Sequence, residues 1–396
     1  MTPIELPKLD DRSTLPIAAS QAVADPTPQK LLDLQILRAL AASLVVADHV
    51  VGAVSGVGVP ADLFHQPGHL MGHLGVITFF VLSGLIMVRQ SSALFGVPGG
   101  ALRFAYRRIV RIVPMYWIAT LAWAAVPLGP SHRVTAKQLL LSLCFIPNFL
   151  SPLDRLEPVL GQGWTLNYEM AFYFLFFLAL FLTKRNGFLF LFFVPQLLVT
   201  IGHSQFFGYT SATGRVANFY CDPIILSFAF GVVLGVVEFS DLTPPRWSLP
   251  ISPAWSLLLP GMVFVALPAT IGQTTAWELL GLYGALVVVA CTLVKSRPLG
   301  VVERTAVLLG DASYSTYLFH LFIYLPVVVL VMKLWGHHPA NRPFIVGAMI
   351  VSVALANLLG LVIHLYVERP LTRAIRKLNL PFSDSRQPTA PIAFQK

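Results

Sequence analysis

From Leu34 onward the chain is built of apolar runs about twenty residues long, divided by short polar loops. Twenty residues of α-helix rise about 30 Å, the thickness of the hydrocarbon layer of a bilayer. Such a run satisfies its own backbone hydrogen bonds, which any segment in lipid must do. The pattern predicts ten spans, at about 35–57, 70–88, 110–129, 164–183, 187–201, 222–238, 254–272, 275–294, 312–332 and 344–366. An eleventh apolar stretch, 137–150, is too short to cross and contains Pro147, so it is expected to be re-entrant or interfacial. The expected fold class is therefore all-α integral membrane, a bundle of about ten transmembrane helices plus one short re-entrant or interfacial helix. Composition agrees: 11% of the residues are charged and 56% hydrophobic, whereas soluble domains carry about a quarter charged residues. A soluble enzyme is excluded on that ground.

Orientation follows from the basic residues. With the N-terminus in the cytoplasm and 137–150 not crossing, 21 of the 27 lysines and arginines fall on the cytoplasmic side. That bias places both termini in the cytoplasm of a cell whose inner (plasma) membrane holds the protein. Letting 137–150 cross would move Lys184, Arg185 and the basic C-terminal group outside. Residues 1–30 and 378–396 are polar, proline-containing tails, and the first tail has no apolar stretch of signal-peptide length. The machinery is expected within residues 31–377.

Several classes of partner and chemistry drop out. The basic residues that give a net charge of +9 are spread between apolar runs rather than gathered in one patch, so no nucleic acid is expected. Cys144, Cys221 and Cys291 form no CxxC pair and read as small core residues, with no metal site. Gly231 and Gly235 form a GxxxG pair that signals close helix packing. No internal repeat of the kind found in transporters is visible.

Ionisable groups inside apolar spans cost free energy and call for a reason. His49 follows Asp48 in the first span, eleven residues beyond Arg38, which sets it roughly 16 Å above the cytoplasmic end. Glu169 lies six residues beyond Gly163 in the string GQGWTLNYE, roughly 9 Å below the outer surface. A carboxylate at that depth needs a partner, and a histidine is the natural one. His320 ends the string DASYSTYLFH, about 10–13 Å deep if Asp311 or Ser313 caps the helix start; a plain packing role competes with a working one. Arg107, Arg108 and Arg111 precede a span at helical spacing. They read either as a stop-transfer loop or as an anion cradle, since arginine stays charged and binds phosphate bidentately.

Together these groups form a gradient, with basic residues at the inner face and His and Glu at or above the midplane. It suits a donor with phosphates at one end and a reactive group on a long arm, a description that coenzyme A fits. A histidine beside a carboxylate is a couple that draws a proton from a hydroxyl as it attacks a carbonyl. A proton-coupled transporter or flippase, using the buried His and Glu as a relay, is the alternative.

Six strings, in order, resemble the family-three integral-membrane acyltransferases. They are Leu32 to Ala42 running into His49, Phe79 to Ile86 (FFVLSGLI), Arg107 to Trp117, Gly163 to Glu169 (GWTLNYE), Leu309 to His320, and Val367 to Pro370 (VERP). The chain is most similar to the branch that acylates exopolysaccharides and Nod factors. The resemblance implies transfer of an acyl group, commonly acetyl, from cytoplasmic acyl-coenzyme A to a hydroxyl of a carbohydrate or lipid-linked acceptor. It makes His49 the essential histidine, Glu169 the motif glutamate, and Arg108 and Arg111 the RxxR pair, with Arg107 beside them and Arg38 in the first motif. On this reading His49, oriented by Glu169, is the general base, and Asn167, Tyr173 or Tyr317 hydrogen-bonds the oxyanion. An acyl-histidine intermediate is the competing route. In one place the chain departs from the family, because Ile77 stands where an acidic residue is usual; His73 or Thr78 are the candidates to compensate. The acceptor groove is expected to be shaped by outer loops such as 130–163 and 202–222.

Overall fold

The computed structural model describes residues 28–55, 65–126, 134–150, 155–204, 206–208, 211–238, 300–335 and 342–378. The expected spans 254–272 and 275–294, both termini beyond these limits and Cys291 lie outside the described residues. In chain order the elements are α1 Pro28–Ser55, α2 His65–Ser91, α3 Gly100–Ala124, α4 Ala136–Leu143, the strands β1 Phe149–Leu150 and β2 Arg155–Leu156, and α5 Trp164–Ala179. There follow α6 Lys184–His203, α7 Ala212–Phe219, α8 Leu226–Glu238, α9 Val301–Asp311, α10 Ser313–Phe319, α11 Leu321–Trp335, α12 Arg342–Ile363 and α13 Arg369–Arg376. The described residues are all-helical apart from one pair of two-residue antiparallel strands, in which Phe149 faces Leu156.

Among the described residues, five helical stretches are long and apolar enough to cross a membrane: Leu34–Ala53, Met71–Leu94, Lys184–His203, Ala212–Val237 and Val346–Arg376. The 137–150 stretch forms only the eight-residue α4, whose start is fixed by a reciprocal cap. Gln138 N–H donates to Thr135 Oγ1 at 3.2 Å, and Thr135 N–H donates to Gln138 Oε1 at 2.9 Å. Eight residues rise about 12 Å, too little to cross. Cys221 is buried as expected, but Cys144 is exposed, because it stands at the end of α4 rather than inside a span.

Helices α2 and α8 approach backbone to backbone. A side chain at Gly231 would strike the backbone oxygen of Val81, and one at Gly84 would strike that of Phe228. The GxxxG signal is thus a real seam, with Gly235 against the Val88 side chain. Helix α1 packs on α2, α9 and α12, so it sits inside the bundle and carries its polar residues inward.

The expected 312–332 span is broken. Helix α10 ends at Phe319, and the N–H groups of Ile323 and Tyr324 both turn to the His320 carbonyl at 3.0 Å. Neither expected cap forms at its start: Asp311 pairs with Arg369 at 3.5 Å, and Ser313 Oγ has no hydrogen-bond partner among the described residues. Helix α12 runs into a π-helical turn at His364–Glu368 before α13. Such turns widen the helix locally and are frequent near functional sites.

Candidate active site

Helix α3 carries Arg103, Arg107, Arg108 and Arg111 in its first half, and the helical period turns Arg108 and Arg111 to one face. Arg108 is 8% exposed. Its guanidinium lies 5.4 Å from the Phe104 ring and 5.5 Å from the Tyr173 ring, and donates to Gln90 Oε1 at 2.9 Å. Flat aromatic faces hold the cation without neutralising it. Its Nε is buried and finds no hydrogen-bond partner among the described residues, so a donor remains for a ligand.

Arg38 enters from α1, donating to Gln35 Oε1 at 3.3 Å, and lies within electrostatic reach of Arg111, Glu368, Glu169 and Asp311. Glu169 comes from the second turn of α5. Its Oε1 accepts from Tyr173 at 2.5 Å and from Ser83 at 3.3 Å. These groups meet around a cavity of about 100 Å³, lined by Arg38, Arg108, Arg111, Glu169, Tyr173 and Tyr317, with Ser83 and Ser313 among the remaining wall residues. Three guanidinium groups against one carboxylate leave the lining cationic, the charge that a phosphate-bearing ligand requires.

The histidines sit together beside this cavity and do not line it. The His49 and His320 rings meet edge to face with centroids 4.8 Å apart, and Tyr324 lies 6.1 Å from His49. His49 Nδ1 is 2.8 Å from the Val45 carbonyl. A carbonyl only accepts, so Nδ1 carries a proton, and in the neutral ring Nε2 is the nitrogen with the lone pair. His320 is wholly buried, with Nδ1 bonded to the Tyr317 carbonyl at 2.7 Å and Nε2 without a partner among the described residues. Tyr317 links the two regions. Its ring lies 6.0 Å from that of His320, its hydroxyl is 2.6 Å from Thr165 Oγ1 and donates to the Gln162 carbonyl at 2.8 Å, and it forms part of the cavity wall.

Six of the ten sequence candidates are thus gathered in one wall. His49 and His320 pair with each other, and the groups that hold Glu169 are Tyr173 and Ser83. Neither Arg107 nor Asn167 lines the cavity; Asn167 is 1% exposed, and neither amide atom finds a partner among the described residues.

Sequence reasoning read Ser313 as a helix cap rather than as part of the cavity wall, and missed Gln90, Phe104 and the network at the π turn. There Glu368 Oε2 accepts from Ser315 at 2.7 Å and from His364 Nδ1 at 2.7 Å. Glu368 lies in the VERP string, so the motif was visible and its role was not. Ile77 is 4% exposed and packs with Leu34, Leu37 and Leu74. The position that is usually acidic is here a core position, and Thr78 does not replace the acid, because its hydroxyl donates to the Leu74 carbonyl at 2.7 Å.

Residues 31–361 match the acyltransferase-domain family along most of the chain. The chain belongs to this family of membrane acyltransferases. Among curated proteins it is similar to the exopolysaccharide production protein ExoZ of Rhizobium meliloti (strain 1021), with 32% identity over 328 residues, covering 78% of this chain and 94% of that one. No solved structure matches it. The family match spans α1 to α12 and so takes in all three arginines, both histidines and Glu169. An acyltransferase needs an acyl donor, an acceptor nucleophile and a group to take the proton of that nucleophile. The cationic cavity and the adjoining imidazole pair are the residues to weigh for those parts.

Proposed function

We propose that this acyltransferase moves an acyl group, acetyl foremost, from cytoplasmic acyl-coenzyme A to a hydroxyl of a carbohydrate acceptor. The observation that carries the reading is one cavity in which Arg38, Arg108 and Arg111 converge, with an imidazole pair one residue beyond its wall. The similarity to an exopolysaccharide production protein supports a carbohydrate acceptor. The bundle has ten spans in this proposal, with both termini on the cytoplasmic side, and the arginines face that side.

In the reaction the three arginines hold the phosphates of the donor while the pantetheine arm carries the thioester inward. His49 Nε2 takes the proton of the acceptor hydroxyl as its oxygen attacks the thioester carbonyl. The tetrahedral intermediate then expels the coenzyme A thiolate, which receives that proton, and the ester is released. Of the three candidates for the oxyanion donor, Asn167 Nδ2 alone has no acceptor among the described residues, because the Tyr317 and Tyr173 hydroxyl hydrogens go to the Gln162 carbonyl and to Glu169. Glu169 balances the arginines and fixes Tyr173.

Thermal unfolding of the purified protein tests the donor half directly. Coenzyme A at about a hundred times its Kd should stabilise the fold by about 2.7 kcal/mol, and a nucleoside monophosphate at the same concentration should do far less. Equal shifts with the two ligands, or none, would contradict the reading.

A further inference from the structure

A second, larger cavity, of about 460 Å³, shares no lining residue with the one formed by Arg38, Arg108 and Arg111. Its polar wall is His203, Arg215, Asn218 and Asp222, and its aromatic floor is Tyr168 with Phe219. The floor is rigid, because these two rings stack at 4.2 Å and the Tyr168 hydroxyl donates to the Phe219 carbonyl at 2.5 Å. The wall is braced as well. Asn218 Nδ2 donates to the Gly208 carbonyl at 2.7 Å, which leaves its buried Oδ1 without a partner among the described residues. Asp222 Oδ1 accepts from Ile224 N–H at 2.8 Å, which directs the carboxylate, and His203 lies within its electrostatic reach.

Placement relates this cavity to the first. His203 ends α6, and Lys184 and Arg185 begin it, so a helix of 20 residues, about 30 Å, separates the second cavity from the basic end of the bundle. Glu169 and Tyr168 are consecutive on α5, about 100° apart around the helix. One lines the arginine cavity and the other lines this one, so α5 forms a wall of both.

We infer that the second cavity binds the carbohydrate acceptor, with Asn218, Asp222, Arg215 and His203 hydrogen-bonding ring hydroxyls and the Tyr168–Phe219 floor taking an apolar sugar face. Acceptors (Asn218 Oδ1, Asp222 and His203 Nε2, whose ring gives its Nδ1–H to the Val199 carbonyl at 2.9 Å) and the donor Arg215 line a volume the size of one or two sugar rings, which suits a ligand whose every hydroxyl both donates and accepts. This rests on the acyltransferase reading and adds to it where the acceptor is held. Donor and acceptor then lie on two faces of α5 at the same level of the helix.

The test uses the full-length protein in nanodiscs, radiolabelled acetyl-coenzyme A, and unacylated polysaccharide harvested from a strain lacking the gene. Two mild substitutions are read, His203→Gln at an exposed helix end and Asp222→Asn, which keeps the acceptor oxygen for Ile224. Both should lower transfer at least tenfold at low polysaccharide concentration, while the thermal shift given by coenzyme A stays at its wild-type size. Wild-type transfer rates in both variants would overturn the inference, as would loss of the coenzyme A shift in both, which would make the cavity a support for the donor side. If the wild-type protein itself labels no carbohydrate, the carbohydrate acceptor of the proposed function falls, a result that differs from any of these.

Discussion

Arg108 shows how one side chain is tuned for anion binding. Buried guanidinium groups are normally neutralised by carboxylates, yet this one rests between two aromatic rings and a neutral amide. Glu169 lies within electrostatic reach and offsets its charge only in part, which leaves it available to a ligand. Lysine would keep the charge but lose the planar fork and the ring stacking. Arg108→Lys should weaken coenzyme A binding by about tenfold, about 1.4 kcal/mol, with little change in the melting temperature of the unliganded protein; titration of the thermal shift against ligand concentration reads both. The residue types at the site were legible in the sequence because charge inside an apolar run stands out. Their partners were not. Glu169 was paired with His49 on depth alone, and the groups that actually hold it are Tyr173, one helical turn on, and Ser83 from α2. A serine inside an apolar helix gives no signal of the carboxylate it will meet 86 positions away.

At the scale of elements, the bundle is set by where small residues let backbones touch. The α2–α8 seam has glycine on both sides, with Gly84 against Phe228 and Gly231 against Val81. Helix α2 brings Ser83 and Gln90 to the cavity, so the seam also fixes two of its supports. Gly231→Leu should cost about 2–3 kcal/mol through overpacking, seen as a lower melting temperature and less monodisperse protein on size-exclusion chromatography. Leucine at Gly52, which has open space around it, should leave both unchanged. Long apolar spans and the GxxxG seam could be read from sequence because hydropathy and residue size are local properties. The break at His320 and the π turn at His364–Glu368 could not, since both arise from contacts between helices that are distant in the chain.

At the scale of the whole molecule, one helix, α5, stands between two cavities of different chemistry, one cationic and small, one polar and larger. An enzyme that joins substrates from opposite sides of a membrane needs such a division. A proton-coupled transporter would instead respond to membrane potential and would have no use for coenzyme A. Binding of the donor through arginines also predicts salt dependence: the coenzyme A thermal shift should fall between 0.05 and 0.5 M salt, roughly the range over which the Debye length drops from above 10 Å to below 5 Å. A shift indifferent to salt would argue against arginine capture.

If His49 removes the acceptor proton while the arginines hold the donor, acetyl transfer and the coenzyme A thermal shift should separate in His49→Ala. General-base catalysis is worth roughly 10²–10⁴-fold, so transfer should fall at least a hundredfold while the shift remains. Transfer at the wild-type rate in that variant would contradict the account.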